Sequence, residues 1–428
     1  MVRIAEYKFY TEHKRIETLP PPAIVYIPII QHLGKPCDIF DIKPGDQVSV
    51  GQRLAIAASQ PFAPIHSSVS GKVTAIQNWP HPAAGTCKTI VIENDSLDSP
   101  VRAPAGLMSG EEAGNLTAKH IRDLVFEAGI VGMGGASFPT HIKLQPPKPV
   151  STLIINIAEC EPYLTGDSQL TVEKTDQIVA GIGLVGNCFP HLKKTIIAIE
   201  DNKPAAIKAL EKATAGTPLI IGVLKAQYPQ GGEKQLIKKL LGVEVPRAKL
   251  PFDVGVSVQN VSTVFAIYEA VYARKPLYER VVTVTGSCLT DPKNLLCRIG
   301  TPIKELIKYC GPVKETPAKI IIGGPMMGLA QYTDDAPVIK STTGVILMNK
   351  REARAIEETP CIRCGGCVRE CSMGLMPCLI NQAAGKGFWQ QAKDHGALDC
   401  LECGLCNYVC PAHRSIVQSI KRAKLEIR

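Results

Sequence analysis

The sequence predicts a multidomain α/β protein that ends in a cysteine-rich helical segment. Three observations carry that prediction. A length of 428 residues is enough for several separate cores. Between about residues 115 and 272, apolar β-branched runs alternate with helical segments. Beyond residue 350, the stretches CIRCGGCVREC and CLECGLCNYVC repeat one cysteine spacing.

Bulk composition narrows the class. The chain is 45% apolar and 20% charged, which describes a globular protein and not a disordered one. The net charge of +9 is spread along the chain with only a modest cluster at its end. That pattern argues against a nucleic-acid partner and fits a basic surface facing anionic lipid or acidic proteins. No apolar run approaches the ~20 residues of a bilayer helix. The N-terminus lacks a charged-then-apolar signal segment. A cytoplasmic location is expected, where disulfides are rare. Two runs of four hold half of the 16 cysteines, so metal ligation explains them better.

Residues 1–105 read as short strands cut by Pro and Gly. KPGDQVSVGQRLA and APIHSSVSGKVTAI each place a turn glycine before period-two apolar positions. The pair resembles the flattened barrel of biotin- and lipoyl-carrier domains, a barrel-sandwich fold. Those carriers attach their cofactor to a lysine between the halves. No lysine lies between Arg53 and Lys72, so a structural module is expected.

Residues 115–272 open on TAKHIRDLVFEAGI, with Ile121, Leu124, Val125 and Ala128 at helical spacing. STLIINIAEC, KKTIIAIED and TPLIIGVLK suit buried parallel strands, with helices such as KPAAIKALEKA between them. An open, Rossmann-like α/β sheet is expected, binding ligands at the carboxyl ends of its strands. Residues 278–340 form a small α+β unit, with ERVVTVTG and AKIIIGGPMMG flanking the helix TPIKELIKYCG. Residues 350–428 are helical and cysteine-rich.

Each cysteine run has the spacing C-x2-C-x2-C-x3-C. Four soft thiolates hold an iron–sulfur cluster, and in two-cluster ferredoxins the fourth cysteine of each run ligates the other cluster. The expected sets are therefore Cys361, Cys364, Cys367 and Cys410 for one [4Fe–4S], and Cys400, Cys403, Cys406 and Cys371 for the second. Zinc prefers two separated C-x2-C pairs and fits less well. Cys371 is followed by Ser372 where Pro is usual, while Cys410 keeps Pro411. The additional Cys378 reads as a packed free thiol.

The stretch GIVGMGGASFPTHIKL is dense in glycine, a pattern shared by phosphate cradles and plain tight turns. The strand TLIINIAECEPYLTGD ends in Asn156 and the carboxylates Glu159, Glu161 and Asp167, a set that suits a ligand rich in hydroxyls or amides, or a solvated loop. YPQGGEKQLI and VSVQNVSTVFAIYEAV add Glu233, Asn260 and Thr263. No nucleophile–base set or metal-binding His pair stands out.

Together, in this order, these stretches resemble the flavin-and-NADH subunit of respiratory complex I. With the carrier-like start, GGPMMG and the doubled cysteine run, the chain is similar to the RnfC family, which serves the membrane-associated ion-translocating ferredoxin:NAD oxidoreductases. The resemblance implies non-covalent FMN, with Gly132, Gly134, Gly135 and Lys143 near its phosphate and ring. Asn156, Glu159 and Glu161 would lie on the adjoining strand end, Asn260 and Thr263 near the phosphate, and Glu233 near the nicotinamide nucleotide. It also implies a β-grasp (SLBB-like) fold for 278–340 and a ferredoxin-type fold for 350–428. Complex I relatives carry an Arg and an Asp where this chain has Met133 and Ala158.

The implied activity is electron exchange between NAD(H), FMN and two [4Fe–4S] clusters, with no catalytic side chain, coupled to Na+ or H+ movement. The implied partners are integral membrane and flavin/iron–sulfur subunits of the same complex, and through them ferredoxin. The implied place is peripheral, on the cytoplasmic side of the membrane. The basic end bearing Lys421, Arg422, Lys424 and Arg428 suits docking or a plain solvated helix end. The alternatives are a soluble flavin/iron–sulfur corrinoid reductase and a non-catalytic electron-relay scaffold.

Overall fold

The computed structural model describes residues 2–57, 59–101, 108–354 and 356–427. The expected boundary at 105 and the terminal Arg428 lie outside these residues.

In the N-terminal unit, strands Ile24–Pro28, Gly71–His81, Gly85–Asn94 and Gln47–Val48 share one sheet. A second sheet holds Asp38–Ile39, Arg53–Ile56 and Ile65–His66. Val25, Ile27, Leu54, Ile65, Val73, Ile90 and Ile92 form the core of this unit, the inward half of the period-two pattern. Gly71 has φ 144°, and a Cβ there would lie 1.9 Å from the Glu93 carbonyl oxygen. The glycine of the second half-motif is thus required by close backbone approach. The chain before this barrel belongs elsewhere: Ile16–Thr18 pairs in parallel with strand Lys293–Arg298, far downstream in sequence.

The α/β unit contains four parallel strands, β1 (Thr152–Asn156), β2 (Lys194–Glu200), β3 (Leu219–Leu224) and β4 (Val256–Asn260). Their spatial order is 3-2-1-4. Leu153, Ile155, Ile197 and Ile199 share a core with helices Ala118–Glu127, Thr175–Asn187 and Val261–Tyr272. Ile154, Ala198 and Val258 pack on the opposite side with helix Glu233–Leu241. Coverage of both faces explains the continuous apolar runs of β1 and β2, each buried side chain contributing about 1.5–3 kcal/mol. β3 is instead the edge strand, and its Ile220 and Val223 are 45% and 51% exposed, against the burial expected for TPLIIGVLK. Strand order reverses between β1 and β4, which opens a crevice at their carboxyl ends. The register sets Asn156 directly opposite Asn260 there.

Downstream lies a six-stranded mixed sheet that packs helix Ile303–Tyr309 on a core including Val282, Val284, Leu295, Leu306, Val345 and Leu347. Glu279–Thr285 and Gly344–Met348 are its central strands. The second of these falls beyond residue 340. Its run GVILM is fully covered at Val345, Ile346 and Leu347, so the sheet needs it even though a polar Thr-Thr-Gly turn precedes it.

The cysteine-rich unit is a duplicated structure. Short helices Gly366–Arg369 and Leu405–Tyr408 follow the two cysteine loops, and longer helices Pro377–Gly385 and Ile416–Ile427 follow those. The backbone repeats too. Arg363 and Glu402 have φ 56° and 60°, Gly365 and Gly404 73° and 78°, Gly374 and His413 64° and 50°. Non-glycine residues rarely accept this left-handed region, so its recurrence at matching positions marks one loop geometry used twice. Ile380, Ala383, Ile416, Val417 and Ile420 join the halves.

Candidate functional site

The crevice between β1 and β4 gathers most of the expected residues. Asn260 caps the helix Val261–Tyr272, its side-chain oxygen accepting the Thr263 N–H at 3.3 Å. The Thr263 hydroxyl accepts the Met133 N–H at 2.9 Å, which pins the glycine loop to this helix start. Gly134 lies so close that a Cβ would meet Asn260 at 3.3 Å, and Gly135 turns the chain with φ 114°. Gly132 donates to the Phe138 carbonyl at 2.8 Å and accepts from Ser137 at 3.1 Å. Across the crevice, Asn156 donates to the Gly231 carbonyl at 2.9 Å. Lys143 forms an ion pair with Glu233. A glycine loop beside the start of a long helix is the arrangement that suits a phosphate, and the Gly134 cradle is one that any larger residue would fill.

Glu159 and Glu161 sit on the adjoining strand end, with their carboxylates committed elsewhere. Glu159 accepts the Asp167 and Ser168 N–H groups at 2.9 and 3.4 Å, at the start of helix Gly166–Glu173. Glu161 accepts the Met326 and Met327 N–H groups at 3.1 and 2.9 Å, in the GGPMMG loop of the next unit. Burial pushes its carboxyl up to about 7, against the pull of those two donors. A Cβ on Gly324 would lie 2.0 Å from this carboxylate, so glycine is required opposite it. Asp167, the last carboxylate of the run, receives Asn260 at 2.7 Å and also the Ser262 hydroxyl. Burial raises the carboxyls of Asp167 and Glu159, and the charges of Arg280 and Lys8 oppose that shift at Asp167.

Lys8, Arg280 and Tyr228 also build the site; Lys8 and Arg280 carried no local signal in the sequence, whereas Tyr228 opens the stretch YPQGGEKQLI, from which only Glu233 was singled out. Lys8 is buried, and its ammonium donates to the Glu159, Glu161 and Leu164 carbonyls at 2.7, 2.9 and 2.7 Å. All three of its protons are thereby used. Arg280 reaches the Met133 carbonyl at 3.4 Å. Met133 and Ala158, at the two positions where charge was expected from the resemblance, are 4% and 7% exposed and packed in the core.

The enclosed cysteine set combines both repeats. Cys371, Cys400, Cys403 and Cys406 line one cavity, together with Ser372, Pro377 and Val417. The Cys371 sulfur accepts the Leu375 N–H at 3.3 Å and the Cys400 sulfur the Glu402 N–H at 3.3 Å. Among the described residues no three His, Cys, Asp or Glu groups converge on the position of a single metal ion. Four cysteines lining one cavity are the soft donor set that an iron–sulfur cluster takes.

The other set is more open. Cys361 and Cys364 are exposed, whereas Cys367 and Cys410 pack on the helical core. Gly366 stands between the Cys364 sulfur and the Val409 carbonyl, 3.7 and 3.4 Å from its would-be Cβ, which brings the two repeats together here also. Cys378 lies against Cys367 in a thiol–thiol contact. The C-terminal helix is not a free basic end. Lys424 donates to the Cys400 carbonyl at 2.7 Å and to Glu402 at 2.6 Å, and Arg422 lies over the Trp389 ring at 5.6 Å.

Crevice and cysteines touch. The Tyr228 hydroxyl donates to the Cys403 carbonyl at 2.7 Å. Gln235 donates to the Met373 sulfur at 3.0 Å, and Gly404 packs on the Met326 carbonyl with no room for a Cβ.

Comparison with known proteins follows this layout. The Nuo51 FMN-binding domain matches residues 125–269, the RnfC barrel sandwich hybrid domain residues 2–97 and the SLBB domain residues 281–330. A subunit of the proton-translocating ferredoxin:NAD(+) oxidoreductase complex of Clostridium ljungdahlii is 45% identical over 424 residues, 98% of this chain and 92% of the relative. The chain belongs to the RnfC family. The corresponding subunit of the Na(+)-translocating ferredoxin:NAD(+) oxidoreductase complex of Acetobacterium woodii is 41% identical over 411 residues, 95% of this chain and 91% of the relative. An NAD+-reducing [NiFe]-hydrogenase structure shares the fold, with TM-score 0.51 and 20% identity, over 71% of this chain and 63% of that one.

Within this RnfC chain, the FMN-binding domain match contains the glycine loop, both asparagines and Tyr228. Lys8, Arg280 and Met326 come from outside it. The barrel-sandwich and SLBB matches bear out the folds expected for the first and third units. Among the described residues, no helix is long and apolar enough to cross a membrane.

Proposed function

We propose that this RnfC chain exchanges electrons between NAD(H), FMN and two [4Fe–4S] clusters as the peripheral subunit of a ferredoxin:NAD+ oxidoreductase. Its partners would be the integral membrane and flavin/iron–sulfur subunits of the same complex, reached from the cytoplasmic side, with electron flow coupled to Na+ or H+ movement. The observation that carries this reading is the 2.7 Å contact from Tyr228 to Cys403, which joins the crevice to the enclosed cysteine set. Bound FMN would supply the conversion between two-electron and one-electron transfer that side chains cannot. The glycine loop and the Val261 helix start would hold its phosphate, with Asn156 and Asn260 at the ends of the two strands that flank the crevice. Lys143 and Glu233, paired across the entrance, are placed to part for a dinucleotide.

Burial orders the two cysteine sets. Cys371, Cys400, Cys403 and Cys406 face the crevice side through Tyr228 and Gly404, and Cys361 and Cys364 face outward. The first set would take electrons from the flavin and the second deliver them to a partner subunit. The test is anaerobic reconstitution with iron, sulfide and FMN followed by addition of NADH. The expected result is bleaching at the flavin band followed by bleaching at the cluster bands. Absence of NADH bleaching would defeat the proposal.

A further inference from the structure

The duplicated unit is not symmetric in its thiols. The register that aligns Cys361 with Cys400 and Cys371 with Cys410 also aligns Cys367 with Cys406 and Cys378 with Val417. Val417 lines the enclosed cavity together with Cys406, so a residue at this helix position faces its own cysteine set. In the first repeat a thiol fills that position. Cys378 stands in the first turn of helix Pro377–Gly385 and touches the sulfur of Cys367, which belongs to the short helix Gly366–Arg369. Both cysteines are half-buried, within reach of a small solute.

Cover alone does not need sulfur, since Val417 supplies it in the second repeat. A thiol in place of an isopropyl group adds one property, reversible oxidation. The asymmetry also falls on the side where that property has a use. Cys361 and Cys364 are exposed, as are Ile362 and Arg363 between them, so an oxidant in solution meets this set before the enclosed one.

We propose that Cys378 is a resolving thiol for Cys367, closing a reversible disulfide with it under hydrogen peroxide whenever the open set holds no cluster. The proposal rests on the reading that Cys361, Cys364, Cys367 and Cys410 hold one cluster. One thiol of the pair reacts with peroxide to give a sulfenic acid and water. The other thiol then attacks that sulfur, forming the S–S bond and releasing a second water. The two thiols give up two protons and two electrons, and the peroxide takes up both. Without a neighbouring thiol a sulfenic acid goes on to sulfinic acid, which ordinary reductants do not reverse. The bond therefore keeps Cys367 in a state from which a dithiol returns it to ligation. With a cluster in place the Cys367 sulfur would be bound to iron, and Cys378 is then the packed free thiol expected from the sequence.

The test starts from the full chain stripped of iron by a chelator, treated with hydrogen peroxide, alkylated and mapped by mass spectrometry of its peptides. Cys378→Val is treated alongside; it copies the residue of the second repeat and so preserves the packing. The expected result is a Cys367–Cys378 linkage in the parent that dithiothreitol reverses, and sulfinic acid at Cys367 in the variant. After dithiothreitol, iron and sulfide, the variant should regain about half or less of the open set's electron paramagnetic resonance signal regained by the parent. A parent chain in which Cys367 is unlinked, or linked to another cysteine, overturns the proposal whatever the variant does. Equal recovery by parent and variant overturns it as well. Portions never exposed to peroxide are reconstituted in parallel. If those take up no iron, the electron-transfer reading fails while the linkage is still measured, so the two failures are distinct.

Discussion

The Tyr228 hydroxyl stands 2.7 Å from the Cys403 carbonyl oxygen and 3.4 Å from a Glu161 carboxylate oxygen. One side chain of the α/β unit thus meets both the loop that carries Cys403 and the strand end of the crevice. Tyr228→Phe removes only the hydroxyl. It is expected to cost about 1 kcal/mol of stability. Stopped-flow reduction by NADH should show unchanged flavin bleaching and several-fold slower cluster bleaching. Equal slowing of both would show that Tyr228 does not serve the link.

The cavity shared by Cys371, Cys400, Cys403 and Cys406 predicts how cysteine variants pair. Cys371→Ser and Cys403→Ser should abolish the same electron paramagnetic resonance signal. Cys364→Ser and Cys410→Ser should abolish the other. If Cys371→Ser instead removes the signal lost in Cys364→Ser, the exchange of fourth ligands is wrong.

Glu161 gives a pH dependence with a definite sign. Its carboxyl is raised on folding from the ordinary value of 4.5 to about 7. The folded chain therefore holds a proton that the unfolded chain has lost between those values, and stability falls as pH rises through that window. Chemical denaturation from acidic to mildly alkaline pH should show this decline in the parent protein, and a flatter profile in Glu161→Gln. Parallel profiles would assign the decline to other groups.

Lys8 joins three carbonyls of the Glu159–Leu164 loop from outside the FMN-binding domain match. Lys8→Met keeps the apolar stem and deprives those carbonyls of donors, at a cost of about 3 kcal/mol. Loss of bound FMN together with a lower melting temperature is expected. Lys8→Arg should not restore either, because a planar fork cannot match three tetrahedral directions. Full FMN retention in Lys8→Met would place the loop's effect outside the flavin crevice.

Periodicity and spacing made much of this layout legible. The apolar runs STLIINIAEC and KKTIIAIED did become adjacent buried parallel strands, because continuous β-branched stretches only suit a sheet covered on both faces. The paired cysteine runs likewise folded into matching loops. The sites of Lys8 and Arg280 were not legible. A buried cation is recognised by the carbonyls around it, and those of Lys8 lie more than 150 residues away in sequence. Ile16–Thr18 was hidden for the same reason, since its strand partner lies in a different unit. For Glu159, the strand end was evident in the sequence, but the direction of the carboxylate depends on the Asp167 and Ser168 amides of the next helix.

The sharing of one cavity by Cys371 and Cys400–Cys406 bears on biosynthesis. With the ligand sets proposed above, a nascent chain that has emerged only as far as its first cysteine run would hold a thiol whose partners the ribosome has yet to make. On that proposal, metallation of the cavity would wait until the second run has been translated. Truncation anywhere between the runs would strand Cys371 without its mates, so loss of the stretch from Cys400 onward would be felt by both halves of the duplicated unit.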